Sequence, residues 1–224
     1  MKPTLALKPL AFALAALMAV AAQAHDGTLD VKVTDVQNNH GNKVLNQSTE
    51  NNASSNDSLG GYSGVVGANI QSGDNNQGAN GVAIGSADRD ASQVFASVNV
   101  GQSNGGNQVL NAGTTNNASA NNSGNGGSGI AGVNISSGTS NQGKNDVALA
   151  SGDGRNGGAS TNTVQDVSGN LTLNVSTGHG WSAAAVTNNA SVNDSFNRSS
   201  GVVGVNVQAG SGNQGSNSVS VVKF

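Results

Sequence analysis

The sequence predicts an all-β protein: three repeats stacked along one axis as a β-solenoid or cross-β fibril, with the isolated chain largely disordered. Three observations lead there. One segment is written three times, as Ser63–Gly78, Ser128–Gly143 and Ser200–Gly215. Short aliphatic runs such as Val82-Ala83-Ile84 alternate with Gly-Asn, Asn-Gly and Ser-Gly clusters, which is strand-and-turn punctuation rather than the 3.6-residue period of a helix. Charged residues are 9% and aromatics 3%, with Gly 33, too little apolar mass for a thick core but suited to a thin, ladder-rich β structure.

Taken in chain order, residues 1–24 read as an export signal. Lys2 and Lys8 give a positive start, Leu10–Ala21 an apolar stretch, and Ala22-Gln23-Ala24 a small-x-small cleavage site that leaves His25 first in the mature chain. The apolar stretch is short for a membrane-spanning helix, which needs about 20 residues. The chain is therefore expected to be exported. Cys 0 excludes a disulfide framework and thiolate metal sites. The formal net charge of −3 gives no basic footprint for nucleic acid.

Repeat 1 with its leader is expected over 25–94, repeat 2 with a linker over 95–162, and repeat 3 over 163–224. Asn42-Lys43-Val44-Leu45-Asn46 matches Asn107-Gln108-Val109-Leu110-Asn111, and Asn52-Ala53-Ser54 matches Asn117-Ala118-Ser119 and Asn189-Ala190-Ser191. The matched anchors shift by 65 and then by 72 residues. The extra length is expected around Asn156-Gly157-Gly158 and Gly178-His179-Gly180, which read as loops. Three or four strands per unit are expected, near 42–46, 64–71 and 81–85, with a leader near 30–36. That leader recurs at Ala96–Val100 and is expected again at Leu171–Val175.

The expected core of repeat 1 is Val44, Leu45, Val65, Val66, Ile70, Val82 and Ile84. So few side chains fall well short of the conformational entropy of ordering the unit. Ladders between units must supply the rest, and with no capping segment legible at either end, the stack is expected to accept further copies. The candidate ladder comprises Gly64, Gly67, Asn69, Asn76 and Gln77. Its equivalents are Gly129, Gly132, Asn134, Asn141 and Gln142, then Gly201, Gly204, Asn206, Asn213 and Gln214. Stacked amides bond their own kind without charge repulsion.

Charges mostly avoid repetition: Asp74 becomes Thr139 and Ser211, Lys144 replaces Ala79, and Asp90 becomes Arg155. The exceptions are Asp57–Asn122–Asp194 and the pair Asp88 and Asp153, which would bring like charges together in a head-to-tail stack. Acid is therefore expected to ease assembly. His25, His40 and His179 share no metal-ligand spacing, and the Gly-rich runs at Gly105-Gly106 and Gly124–Gly127 lack the helix a phosphate loop requires. Trp181 and Tyr62 stand alone, and Phe224 is only a weak echo of an outer-membrane barrel end. Neither an enzyme nor a cofactor is expected.

The Gly-Val-Val-Gly-Val-Asn-Val sentence closing on Gly-x-Gly-Asn-Gln-Gly, together with the Lys-Pro-Thr and Leu-Lys-Pro-Leu-Ala-Phe-Ala signal, resembles the Fap functional amyloid proteins of pseudomonads. The resemblance implies secretion through the periplasm to extracellular fibrils (fimbriae) at the cell surface that build biofilm and promote cell aggregation. It implies as partners the chain itself, the other fibril subunit, periplasmic chaperone-like proteins and an outer-membrane export protein. The family has a major subunit, typically with Cys-x-x-Cys near its C terminus and long linkers, and a minor subunit thought to nucleate. This chain lacks the cysteines and its linkers are short, which favours the minor, nucleating role over the major one. A monomeric β-solenoid adhesin or ice-binding surface, and a disordered spacer, are the readings from other classes.

Overall fold

Short apolar-polar alternations broken at fixed intervals by Gly, Asn and Ser give a chain that turns often and, among the described residues, forms no helix. The computed structural model describes residues 16–24, 27–87, 91–152, 156–176 and 184–223. Strand β1 (Ala16–Ala24) is followed by three rungs of five strands each. Rung 1 holds β2 (Gly27–His40), β3 (Lys43–Gln47), β4 (Glu50–Asn56), β5 (Ser63–Asp74) and β6 (Gln77–Ala87). Rung 2 holds β7 (Ala91–Gly105), β8 (Gln108–Ala112), β9 (Thr115–Asn121), β10 (Ser128–Thr139) and β11 (Gln142–Gly152). Rung 3 holds β12 (Asn156–Ser168), β13 (Leu171–Val175), β14 (Thr187–Asn193), β15 (Ser200–Ser211) and β16 (Gln214–Lys223).

Every strand pairs in parallel with its equivalent in the neighbouring rung, giving the sheets β2-β7-β12, β3-β8-β13, β4-β9-β14 and β5-β10-β15. The fifth sheet runs β1-β6-β11-β16. Register is set by identity: Asn69, Asn134 and Asn206 are partners, as are Gly64, Gly129 and Gly201. A one-residue slip would invert every side chain. Turns fall in columns too. Asn75, Ser140 and Gly212 all take left-handed φ, of 57°, 58° and 71°, conformations that Asn and Gly tolerate most readily.

Within a rung the chain folds back on itself. The β5 sheet lies between the β4 and β6 sheets, and the β6 sheet between the β5 and β2 sheets. Val133 and Ile135 of β10 pack on Ala118 and Ala120 of β9, while Ile130 on the opposite face meets Val82 and Val147. Ala83 and Ala148 turn away from β5 towards Val31, Val33, Val94, Val98 and Val100. Burial on both faces explains the unbroken buried run through β10 and β11. Small residues dominate it because the sheets approach closely.

Several sequence expectations are corrected. Each rung has five strands, not three or four, because the Asn-rich segments Glu50–Asn56, Thr115–Asn121 and Thr187–Asn193 are strands in their own right. The third copy of the leader is Ala159–Thr163, paired with Ala96–Val100. Leu171–Val175 instead pairs with Gln108–Ala112. The offset between rungs 2 and 3 is therefore 63 through β12 and β13, and becomes 72 only from β14. The inserted residues lie between Val175 and Thr187, while the connection before Asn156 is shortened. Leu45 is not core: it is 67% exposed, because β3 is covered on one face only and places Val44 and Asn46 inward. Val44, Val65, Val66, Ile70 and Ile84 are half-buried and Val82 is buried, while Leu29, Val31 and Val33 form much of the true core.

His25, His179, Trp181, Phe224, Asp88, Asp153, Asp90 and Arg155 lie outside the described residues. Ala16–Ala24, read as part of an export signal, pairs as β1 with Ala79–Ala87. It sits on the side of rung 1 away from rung 2.

Candidate assembly site

Asn and Gln amides need a donor and an acceptor on each side, and a parallel in-register stack supplies both from identical neighbours. Gln142 Nε2 donates to Gln77 Oε1 at 2.8 Å, and Gln214 Nε2 donates to Gln142 Oε1 at 3.1 Å. Asn134 Nδ2 donates to Asn69 Oδ1 at 2.8 Å, and Asn206 Nδ2 donates to Asn134 Oδ1 at 2.9 Å. At the β5–β6 turn and its equivalents the backbone N–H of Asn141 donates to Asn76 Oδ1 at 3.0 Å, and that of Asn213 to Asn141 Oδ1 at 3.1 Å. These turn residues serve twice. Asn141 Nδ2 also donates to Ser137 O at 3.1 Å, closing the turn, and to Gly210 O of the next rung at 3.1 Å.

More ladders exist than sequence reasoning named. Asn46–Asn111–Asn174, Asn51–Asn116–Asn188, Asn52–Asn117–Asn189 and Asn56–Asn121–Asn193 each run through all three rungs at 2.7–2.9 Å. Gln37–Gln102–Gln165 forms another, and Asn80–Asn145–Asn217 links sideways into the Asn134 column. The signal that finds most of them was present, since they recur at the anchors' offsets of 65 and 72, but Asn174 and Gln165 lie 63 residues after Asn111 and Gln102 and fall outside that pattern.

Glycine holds two columns by close approach. A Cβ on Gly129 would lie 2.1 Å from Gly64 O, and one on Gly201 would lie 2.1 Å from Gly129 O. The column Gly73–Gly138–Gly210 is equally tight, at 2.1–2.2 Å. Gly132 and Gly204 make room for the Asn ladder instead: their Cβ positions fall 2.7 Å from Asn80 Oδ1 and 2.5 Å from Asn145 Oδ1. Gly67 shares their column.

Among the described residues, charge recurs in a column only at Asp57 and Asp194, with Asn122 between them. Lys144, partnered by Ala79 and Ser216 in its column, is fully buried and pairs with Asp146, equally buried. Its Nζ also donates to Thr163 Oγ1 and, at 3.3 Å, to Asn162 O. Burial pushes the Lys144 ammonium down to about 8, with the negative charge of Asp35 opposing. Burial likewise raises the Asp35 carboxyl, against a hydrogen bond from Gln37 and the charge of Lys144. In the Asp57–Asn122–Asp194 corner, Asn122 Nδ2 donates to Asp57 Oδ1, so the intervening amide separates the two carboxylates. His40 meets Ser103 Oγ at 3.2 Å. Among the described residues no group of three or more His, Asp or Glu is placed to hold a metal. No helix among them is long and apolar enough to cross a membrane.

Fold and ladders together define a parallel β-solenoid whose rungs bind one another mainly through neutral amide columns. A sequence model of the functional amyloid protein FapB/FapC family matches residues 30–222. The chain is 42% identical over 194 residues to the functional amyloid subunit FapC of Pseudomonas aeruginosa, across 78% of this chain and 56% of that protein. The chain thus belongs to the FapB/FapC family of functional amyloid subunits, a structural rather than enzymatic family. It spans little more than half the length of that curated relative. No solved structure matches it.

Proposed function

We propose that this chain is a secreted subunit of extracellular amyloid fibrils and adds head to tail, rung 3 of one copy against rung 1 of the next. The observation that carries this is the column register. All three rungs present the same amides at the same positions, so an incoming rung 1 finds on rung 3 the partners that rung 2 finds on rung 1. Gly64, Gly67, Asn69, Asn76 and Gln77 are the ladder members on one outer rung, and Gly201, Gly204, Asn206, Asn213 and Gln214 on the other. On this reading the isolated chain is largely disordered and folds as it docks. Strand β1 occupies at β6 the seat that β16 of a preceding copy takes, so cleavage between Ala24 and His25 opens that edge. Export through periplasmic and outer-membrane partners, and a contribution to biofilm and cell aggregation, belong to the same proposal.

Within that role we favour the minor, nucleating subunit. Cys 0 and the short connections between rungs support it. The major-subunit reading has its own support, the 42% identity to FapC. Adding this protein at about one part in a hundred to a cysteine-bearing FapC separates the two. A nucleator shortens the lag of thioflavin-positive growth, and an unchanged lag contradicts the minor role. Failure of the purified chain to form fibrils at any concentration contradicts both and leaves the monomeric adhesin reading.

A further inference from the structure

The corner between the fourth and fifth strands of each rung follows one unusual backbone path. Asp57, Leu59 and Gly61 take left-handed φ of 48°, 58° and 63°. Asn122, Gly124 and Gly126 repeat this at 46°, 70° and 68°, and Asp194, Phe196 and Arg198 at 46°, 60° and 56°. The middle rung meets the path with Asn and Gly, the residues that adopt it most cheaply. Rung 3 meets it with Phe196 and Arg198, where a bulky side chain costs of order 1–3 kcal/mol at each position. Strain of this kind persists where the side chain is needed.

Phe196 has its use inside the chain: its ring fills the space over Gly124, 2.2 Å from where a Cβ there would sit. Arg198 has no such seat. It is exposed and lines an open groove with Asn125, Gly126 and Asn197. Its column partner in rung 1 is Gly61, where a Cβ would meet nothing within 4 Å. The same corner carries Asp194 on rung 3 and Asp57 on rung 1, both exposed. In a head-to-tail stack these two carboxylates become neighbours, with no Asn122 between them. The corner also brings its ends within reach: Asn125 Nδ2 donates to Asn122 Oδ1 at 2.8 Å and to Asp194 O at 2.9 Å. A guanidinium one residue further along is longer than that amide.

Building on the head-to-tail reading, we propose that Arg198 is a junction residue for a second copy of this chain. It crosses the open space over Gly61 of the next copy and bridges Asp194 to Asp57 of that copy. The occupant is argued from charge complementarity and from continuity with the rung-to-rung interface inside the chain. Arg198 then neutralises the one column among the described residues in which stacking repeats a carboxylate, and it marks the junction between molecules as distinct from the junctions within them.

The test is seeded elongation of the mature chain on its own fibrils. Arg198→Gly relieves the left-handed strain, so folding within the chain is not impaired. It is expected to slow elongation by at least about threefold at low salt, with the gap closing towards 1 M salt as the carboxylates are screened. Arg198→Lys retains most of the rate, and the double variant Arg198→Gly/Asp57→Asn restores it. Elongation of Arg198→Gly at the parental rate, or no recovery in the double variant, overturns the junction role. Absence of seeded growth in the parental chain overturns the fibril reading itself.

Discussion

Asn134 donates its side-chain amide to Asn69 at 2.8 Å while wholly buried in the middle rung. It also donates to Ala79 O at 2.8 Å and accepts from Asn145 and Asn206 at 2.9 Å. Asn134→Ala leaves several of these groups without partners, at about 1–3 kcal/mol for each buried group orphaned. The expected loss is about 2–5 kcal/mol in the unfolding free energy of the folded stack, read from denaturant melts. In the head-to-tail stack Asn206 is flanked on both sides in the same way, so Asn206→Ala is expected to cost a similar amount. No loss at either position contradicts the ladder.

The buried Lys144–Asp146 pair occurs in one rung only, with Ala79 and Gly81 as its counterparts in rung 1. Removing Lys144 alone strands the Asp146 carboxylate, and Lys144→Ala is expected to cost about 3–5 kcal/mol. The double change Lys144→Ala/Asp146→Gly copies rung 1 and is expected to be near neutral or stabilising. Guanidinium melts of the three proteins check this.

Two pH windows follow from burial. Asp35 has a raised pKa in the fold, so the folded state holds its proton where the unfolded chain has lost it. Its contribution is present below pH 3.8 and is lost as pH rises through the raised value, which favours folding and assembly in acid. Lys144 is lowered from 10.5 to about 8, so between those values the unfolded chain binds the extra proton and stability rises with pH. Fibril dissociation followed from pH 3 to 11 is expected to show both slopes, and Asp35→Asn removes the acid one.

Glycine columns separate contacts within the chain from contacts between copies. Gly129→Ala places a Cβ against Gly64 O and is expected to abolish the folded stack. Gly64→Ala meets nothing within 4 Å in the single chain and costs only its left-handed strain, about 1–2 kcal/mol. In a head-to-tail polymer the Gly64 position faces Gly201 of the preceding copy, so Gly64→Ala is expected to stop growth at one fibril end. Single-fibril imaging of labelled variant added to parental seeds reads this directly.

The sequence carried the register plainly outside β12 and β13, because identical Asn, Gln and Gly residues at offsets of 65 and 72 leave one alignment that keeps amides together. It hid what depends on layering. Nothing local distinguishes Val44, turned inward, from Leu45, turned out. The third leader was missed because Ala159–Thr163 has lost the aliphatic residues of its two counterparts. A compensating shortening before Asn156 and insertion after Val175 left only their net shift visible. The left-handed corner at Phe196 and Arg198 has no sequence signal, since neither residue favours that conformation.

The most direct test is the distance between equivalent positions on successive molecules in the fibril. A single spin label at Gln108, exposed along the side of the middle rung and outside the amide ladders, reads it by electron paramagnetic resonance. With strands about 4.8 Å apart, three rungs per molecule place successive labels about 14 Å apart. That spacing gives weak dipolar broadening and no exchange narrowing. A spacing of about 4.8 Å, seen as a collapsed single-line spectrum, would mean that each molecule adds one layer, and would contradict the three-rung stack.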